Sequence, residues 1–321
     1  MVVVRDCSRG GKTTLIGPLT EAGIYGSRIG NLHHASIIGK QPRDRVDALT
    51  KAGPGGKFMI HRPTLEEYVL LCHRRCTPIY PKDASTIVSM LDISPGDSIL
   101  EAGTGNAGLT MHLARAVGGC GKVYTVERNN DTLENAKTLV AKFRHGQLLP
   151  SIVFSQGKLS EVIDDIAVSI DPSVEPLLDK VKDDSAHSGV QEKWRGGNMV
   201  KPLFDGIVLD MPTPWTQLTS IFGYLKTDRY VVCYLPSMSQ VIDLVRACQP
   251  WPLLVEDVVE VDWRSWEVRV TTIRNPEQPQ SLDTNGQQVS EEAMICRPTH
   301  TPGGHTAFLV KLRKCAETRV G

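Results

Sequence analysis

The sequence predicts an α/β protein: a doubly wound, mostly parallel sheet of seven strands with an antiparallel edge hairpin, preceded by a small N-terminal β module. Three observations lead there. A short apolar strand breaks through glycines into a helix at Ile99-Leu100-Glu101-Ala102-Gly103-Thr104-Gly105-Asn106-Ala107-Gly108-Leu109. Apolar runs of strand length then alternate with stretches of helical periodicity, the pattern that lays helices over a parallel sheet. From Gly30 to Arg75, by contrast, short strand-like runs are joined by glycine turns.

Length and composition set the bounds. A chain of 321 residues holds one large domain and a smaller one, with the boundary expected near residue 75: residues 1–75 as N-terminal segment and β module, 76–321 as the main domain. Hydrophobic content of 40% and charged content of 22% are those of an ordinary soluble protein. No apolar run reaches the roughly 18 residues of a membrane helix, so no membrane association is expected. Lys plus Arg equals Asp plus Glu at 36 each, so a nucleic-acid surface would have to be a local patch. The 8 cysteines are scattered with no C-x-x-C pair, which fits reduced thiols inside a cell. Cys72-His73-Arg74-Arg75-Cys76 has no second ligand pair at zinc spacing, and no metal is expected.

In chain order, Arg5, Arg9, Lys12 and Arg28 against Asp6 and Glu21 resemble a mitochondrial presequence as much as the irregular start of a first domain. Gly10-Gly11-Lys12-Thr13-Thr14 imitates a phosphate loop, but Asp6 stands where its first glycine belongs and would oppose phosphate. Ile37-Ile38-Gly39-Lys40, Gly53-Pro54-Gly55-Gly56 and Lys57-Phe58-Met59-Ile60 are short strands and turns of the β module. Thr64 with Glu67 predicts a capping box for a helix ending near residue 71. Asp83 is the expected cap of an amphipathic helix over 84–91. Strands follow at 98–101, 123–127 and 151–154, with helices over 111–117, 131–143 and 159–170 between and after them. Residues 171–201 are polar and aperiodic, a surface insertion. Further strands are expected at 204–209, 230–235 and 253–261, with a helix over 238–248. Trp266–Ile273 and residues 307–312 are expected to close the sheet as its edge hairpin.

The glycines at 103, 105 and 108 match G-x-G-x-x-G, letting the backbone approach a ligand closely at a helix N-terminus. Val123-Tyr124-Thr125-Val126-Glu127 ends in an acid about 20 residues further on, the spacing at which a carboxylate meets ribose hydroxyls. Glu101 before the first glycine would repel a pyrophosphate and suits the cationic methionine portion of S-adenosylmethionine. A nicotinamide dinucleotide and a turn with no ligand are the alternatives. Ligands of such sheets lie beyond the carboxyl ends of the strands, where Glu101, Glu127 and Asp210 are expected to project.

Four segments resemble, in order, those of the tRNA adenine-58 N1-methyltransferases, the eukaryotic catalytic subunit and its mitochondrial relative. They are Arg62-Pro63-Thr64-Leu65-Glu66-Glu67-Tyr68, Pro78-Ile79-Tyr80-Pro81-Lys82-Asp83, Glu101-Ala102-Gly103-Thr104-Gly105 and Leu209-Asp210-Met211-Pro212-Thr213-Pro214-Trp215. The resemblance implies a Rossmann-like class I S-adenosylmethionine methyltransferase that makes N1-methyladenosine at position 58 of the tRNA T-loop. It implies Asp210 as the active-site acid. It implies that S-adenosylmethionine is held by Gly103, Gly105, Asn106, Ala107, Gly108 and Glu127, with Ile79 and Thr132 lining the site; Glu101 and Thr104 are further cofactor candidates. After the third strand the family carries an acid against the cofactor adenine; here Ser155-Gln156-Gly157-Lys158 stands there, leaving Gln156 and Gly157 in that place.

The chemistry asks for attack geometry more than for a nucleophilic side chain. Adenine N1 lies on the pairing edge, so the base is expected to flip into a pocket, where Asp210 accepts a hydrogen bond from the exocyclic amine and stabilises the positive charge of the product. Tyr80 and Trp215 are candidates to stack on the base. Arg62, Arg74, Arg75, Lys82, Lys311, Arg313 and Lys314 are candidates for tRNA phosphates. Two other classes stay open: a methyltransferase of small molecules or proteins, and a non-catalytic RNA-binding subunit. The resemblance further implies an oligomer, either a homotetramer or a heterotetramer with a non-catalytic paralogous subunit. The basic N-terminus leans towards the mitochondrial matrix, with the nucleus as alternative.

Overall fold

Strands Val2–Asp6 (β1), Thr13–Ile16 (β2), Ile24–Ser27 (β3), Gly30–His33 (β4), Arg45–Thr50 (β5) and Gly53–His61 (β6) make an antiparallel sheet in the order β2-β1-β6-β5-β4-β3. The structure is a computed structural model that describes residues 1–8, 11–174, 201–273, 291–299 and 304–316. In β5, Val46 and Ala48 point inward and Arg45, Asp47 and Leu49 outward, the period-2 pattern of a half-buried strand. They join Val4, Ile16, Leu32, Phe58 and Ile60 in a core of their own. The stretch that resembles a presequence therefore contains a central strand, with Val3 and Val4 fully buried.

Helix Leu65–Leu71 (α1) starts at the Thr64–Glu67 capping box, both of whose bonds are present. Helix Pro81–Met90 (α2) starts three residues earlier than expected. Proline is pre-set for the first helical position, so Tyr80 becomes the cap and Asp83 falls inside the first turn, fully buried. The main sheet is built from Ser98–Ala102 (β7), Lys122–Glu127 (β8), Ile152–Gln156 (β9), Phe204–Leu209 (β10), Leu225–Leu235 (β11) and Leu253–Glu260 (β12). Helices Gly108–Val117 (α3), Asn130–Lys142 (α4), Leu159–Ile170 (α5) and Met238–Cys248 connect them. Trp266–Ile273 (β13), Glu291–Pro298 (β14) and Phe308–Lys314 (β15) complete the strands. The order is β12-β15-β11-β10-β7-β8-β9, parallel from β11 to β9, with β15 antiparallel to β11.

One expected pairing is different. Trp266–Ile273 pairs with Glu291–Pro298 as a separate two-stranded ribbon, and Phe308–Lys314 enters the main sheet without it. The reason lies in composition. Leu309, Val310 and Leu312 are fully buried inside the sheet, whereas β13 alternates Trp266, Val268 and Val270, all more than half exposed, with Glu267 and Arg269, charges that a sheet buried on both faces would not accept. Residues 1–259 with 307–321 form one compact unit, and 260–306 form a second. Most of the expected insertion, 175–200, lies outside the described residues, as do Arg9 and Gly10.

The strand order reverses between β7 and β10: chain from β7 proceeds to β8 and β9 on one side, chain from β10 to β11 on the other. Ligands of doubly wound sheets bind in the crevice at such a switch point.

Candidate active site

At the end of β7 the two halves of the sheet touch. The Asp210 N–H donates to the Ala102 carbonyl at 2.9 Å, and Gly103 follows with φ +102°. A Cβ on Gly103 would lie 2.2 Å from the Asp210 carbonyl oxygen. That glycine is demanded by the protein's own backbone before any ligand arrives. Gly105 (φ +53°) turns the loop under the Cys76 thiol, and a Cβ on Gly108 would lie 3.2–3.4 Å from Val69, Pro78 and the Ile79 carbonyl. Ala107 caps α3 in the left-handed region.

Thr77, Pro78, Ile79, Gly103, Thr104, Gly105, Asn106, Gly108, Leu109 and Asp210 line one cleft. Six of the expected cofactor residues therefore converge with the expected acid: Ile79, Gly103, Thr104, Gly105, Asn106 and Gly108. Glu127 stands at the end of β8, its two oxygens accepting the Gly105 N–H at 3.1 Å and the Asn129 N–H at 2.9 Å. Thr132 donates its N–H to the Asn129 cap of α4. Beyond Glu127, the Gln156 amide donates to the Arg128 carbonyl and the Gly157 N–H to that of Glu127. Gly157 has φ +144°, and a Cβ there would meet Val162 at 2.7 Å. A side chain at 157 would therefore be strained in this backbone.

Of the three acids only Asp210 lines this cleft, and Glu101 does not project into it. Only 1% exposed, it lies behind the lining and accepts the Thr110 and Thr125 hydroxyls at 2.6 and 2.7 Å. Thr125 in turn meets Thr104 at 2.6 Å, which carries the network to the cleft. Burial pushes the Glu101 carboxyl up to about 8 against the opposing help of the two hydroxyls, with Asp210 and Glu127 raising it further. Asp210 is pushed up to about 7, again by burial first and by Glu127 second. Acids raised in this way favour a cationic occupant of the cleft.

Asn106 has a task that motif matching missed. Its side chain donates to the Cys76 carbonyl and accepts from the Arg75 N–H and from Asn135, fastening residues 75 and 76 onto the glycine loop. The arginines there remain exposed, Arg74 donating to the Leu70 carbonyl and Arg75 to that of Asp131. Tyr80 and Trp215 are half-buried, and Trp215 also packs against the main core.

The cations of the basic tail have partners within the fold. Lys311 pairs with Glu256 at 2.8 Å, and Arg313 pairs with Glu256 and Asp228 at 2.7 Å while stacking on Tyr230. Lys314 is buried and donates to the Phe222 and Leu225 carbonyls. Its ammonium is lowered to about 8 by desolvation. Lys82 pairs with the buried Asp83 at 2.8 Å.

A family model described as "tRNA methyltransferase complex GCD14 subunit" matches residues 57–157. The tRNA (adenine(58)-N(1))-methyltransferase TrmI of Thermus thermophilus is 34% identical over 314 residues, covering 95% of this chain and 94% of that one. The tRNA (adenine(58)-N(1))-methyltransferase catalytic subunit TRM61 of Candida albicans is 26% identical over 284 residues, covering 87% and 73% respectively. Among solved structures, a SAM-dependent O-methyltransferase from Thermotoga maritima matches with TM-score 0.70 at 21% identity, over 99% of this chain and 94% of that one. The tRNA (m1A58) methyltransferase TrmI of Aquifex aeolicus matches with TM-score 0.64 at 22% identity, over 98% and 97%. These two likenesses are of fold: the Rossmann-like architecture is that of SAM-dependent methyltransferases.

Proposed function

This chain belongs to the tRNA (adenine-58-N1)-methyltransferase family, and from that premise we infer that it methylates N1 of adenine 58 in the tRNA T-loop, giving N1-methyladenosine. The donor in this reading is S-adenosylmethionine, whose sulfonium supplies an electrophilic methyl carbon. The residues present fit it. The glycine loop opens α3 with free N–H groups, Glu127 stands where ribose hydroxyls are met, and Glu101 and Asp210 carry carboxyls that a cation would relieve.

The observation that carries the reading is the contact between Asp210 and the glycine loop, the Asp210 backbone bonded to Ala102 and pressed on Gly103. It sets the one acid of the Leu209-Asp210-Met211-Pro212 segment in the same cleft as the cofactor loop. Asp210 accepts a hydrogen bond from the adenine amine and opposes the positive charge that N1 methylation creates. Tyr80 and Trp215 flank the base flipped out of the T-loop, and the exposed Arg74 and Arg75 meet its phosphates.

The test is methyl transfer from labelled S-adenosylmethionine to unmodified tRNA, with the product nucleoside identified. N1-methyladenosine is expected, and Asp210→Ala should lower kcat about 10²–10³-fold with cofactor affinity largely kept. Full activity of Asp210→Ala would move the active-site acid elsewhere; turnover on small molecules without RNA would overturn the substrate.

In this reading the chain also works as an oligomer of identical copies in preference to a heteromer. Its near-complete match to the bacterial relative, against 73% of the chain named a catalytic subunit, supports that choice.

A further inference from the structure

Helix Met238–Cys248 begins with a capping box in which the Ser237 hydroxyl accepts the Gln240 N–H, and Gln240 Oε1 accepts the Ser237 N–H at 3.2 Å and its hydroxyl at 2.9 Å. A box of this kind is served by glutamate as well as by glutamine. Here the other end of the amide is also used. Gln240 Nε2 donates to the Pro212 carbonyl at 3.0 Å. Two donors face Oε1 and one acceptor faces Nε2, which fixes the orientation of the amide. A carboxylate would satisfy the cap and repel Pro212.

Pro212 lies two residues beyond Asp210 in Asp210-Met211-Pro212-Thr213-Pro214, where both prolines lack an N–H with which to fasten the loop. Asp210 is held on its upstream side by the bond to Ala102. Gln240 supplies the matching hold downstream. We propose that Gln240 is a positioning residue for methyl transfer: by clamping the Pro212 carbonyl it sets where the Asp210 carboxylate meets the acceptor base. The inference rests on Asp210 being the active-site acid.

Four variants test it: Gln240→Glu, Gln240→Ala, Met238→Glu and Asp210→Asn. Each is measured for Tm, S-adenosylmethionine Kd, and kcat and KM with tRNA. Gln240→Glu keeps the cap and loses the clamp. It should retain Tm and cofactor Kd while kcat falls about ten- to a hundredfold, the scale of a small misplacement at a reacting centre. Gln240→Ala should show the same loss of kcat together with a lower Tm. Met238→Glu adds the same charge at an exposed position of the first turn and should leave kcat unchanged. Wild-type kcat in Gln240→Glu, or an equal loss in Met238→Glu, overturns the inference. If Asp210→Asn keeps wild-type kcat, the reading of the active site fails instead; an inactive Asp210→Asn beside a fully active Gln240→Glu sinks the clamp alone.

Discussion

Glu101 and Asp210 hold protons at pH values where free carboxyls have lost them, raised to about 8 and about 7 mainly by burial. Between about pH 4 and these values the folded chain binds more protons than the unfolded one. Stability from these two groups is therefore full below about pH 4 and is lost as pH rises through 7 to 8. A cation in the cleft lowers both carboxyls and reverses the trend. S-adenosylmethionine should thus release protons on binding and raise Tm more at about pH 8.5 than at about pH 6; calorimetry in buffers of different ionisation enthalpy checks the first and thermal shift the second. An equal shift at both pH values would mean that neither acid feels the ligand. Gly103→Ala makes a sharper demand. Its Cβ would overlap the Asp210 carbonyl at a φ that alanine rarely adopts, so we expect a loss of about 1–3 kcal/mol or more together with loss of cofactor binding, read by denaturant titration and by calorimetry.

Elements whose signal is local were legible. Thr64 and Glu67 sit three apart and make the predicted box; Thr64→Ala should cost about 1 kcal/mol in a urea midpoint, with no change expected if the box is idle. The strands β7, β8 and β10 were found because buried parallel strands are apolar runs bounded by turns. Pairing was less legible, since Trp266–Ile273 has the same alternation whichever strand lies beside it. The partner, Glu291–Pro298, follows a polar stretch in which no strand was expected. In the site, the glycines and Asp210 were read correctly as neighbours, yet the cause of Gly103 is a backbone contact between residues 107 positions apart. Glu101 was misplaced because a strand-end position does not say which face of the pleat a side chain takes. The tail cations looked free because their acidic partners, Glu256 and Asp228, are distant in sequence.

At the scale of the whole molecule, the β13–β14 ribbon leaves Trp266, Val268 and Val270 exposed, cross-strand from Cys296 and Met294. Its other face carries ion pairs of Glu267 with Arg269 and Arg297. An isolated two-stranded ribbon is marginally stable, and an exposed apolar row of this kind marks an interaction surface. Under the homo-oligomer proposed above, this row is expected to be covered by another copy. Light scattering of the purified protein should give a multiple of the chain mass, and Trp266→Glu with Val268→Glu should shift it down; a wild-type monomer at micromolar concentration would remove the homo-oligomer. The central place of β1 has a practical corollary. Trimming the first six residues would strip β2 of its partner and leave the edge of β6 that faces β1 unpaired, beside Phe58 and Ile60. Such an edge is a template for aggregation, so Val2–Asp6 should be kept in any truncated form of the protein.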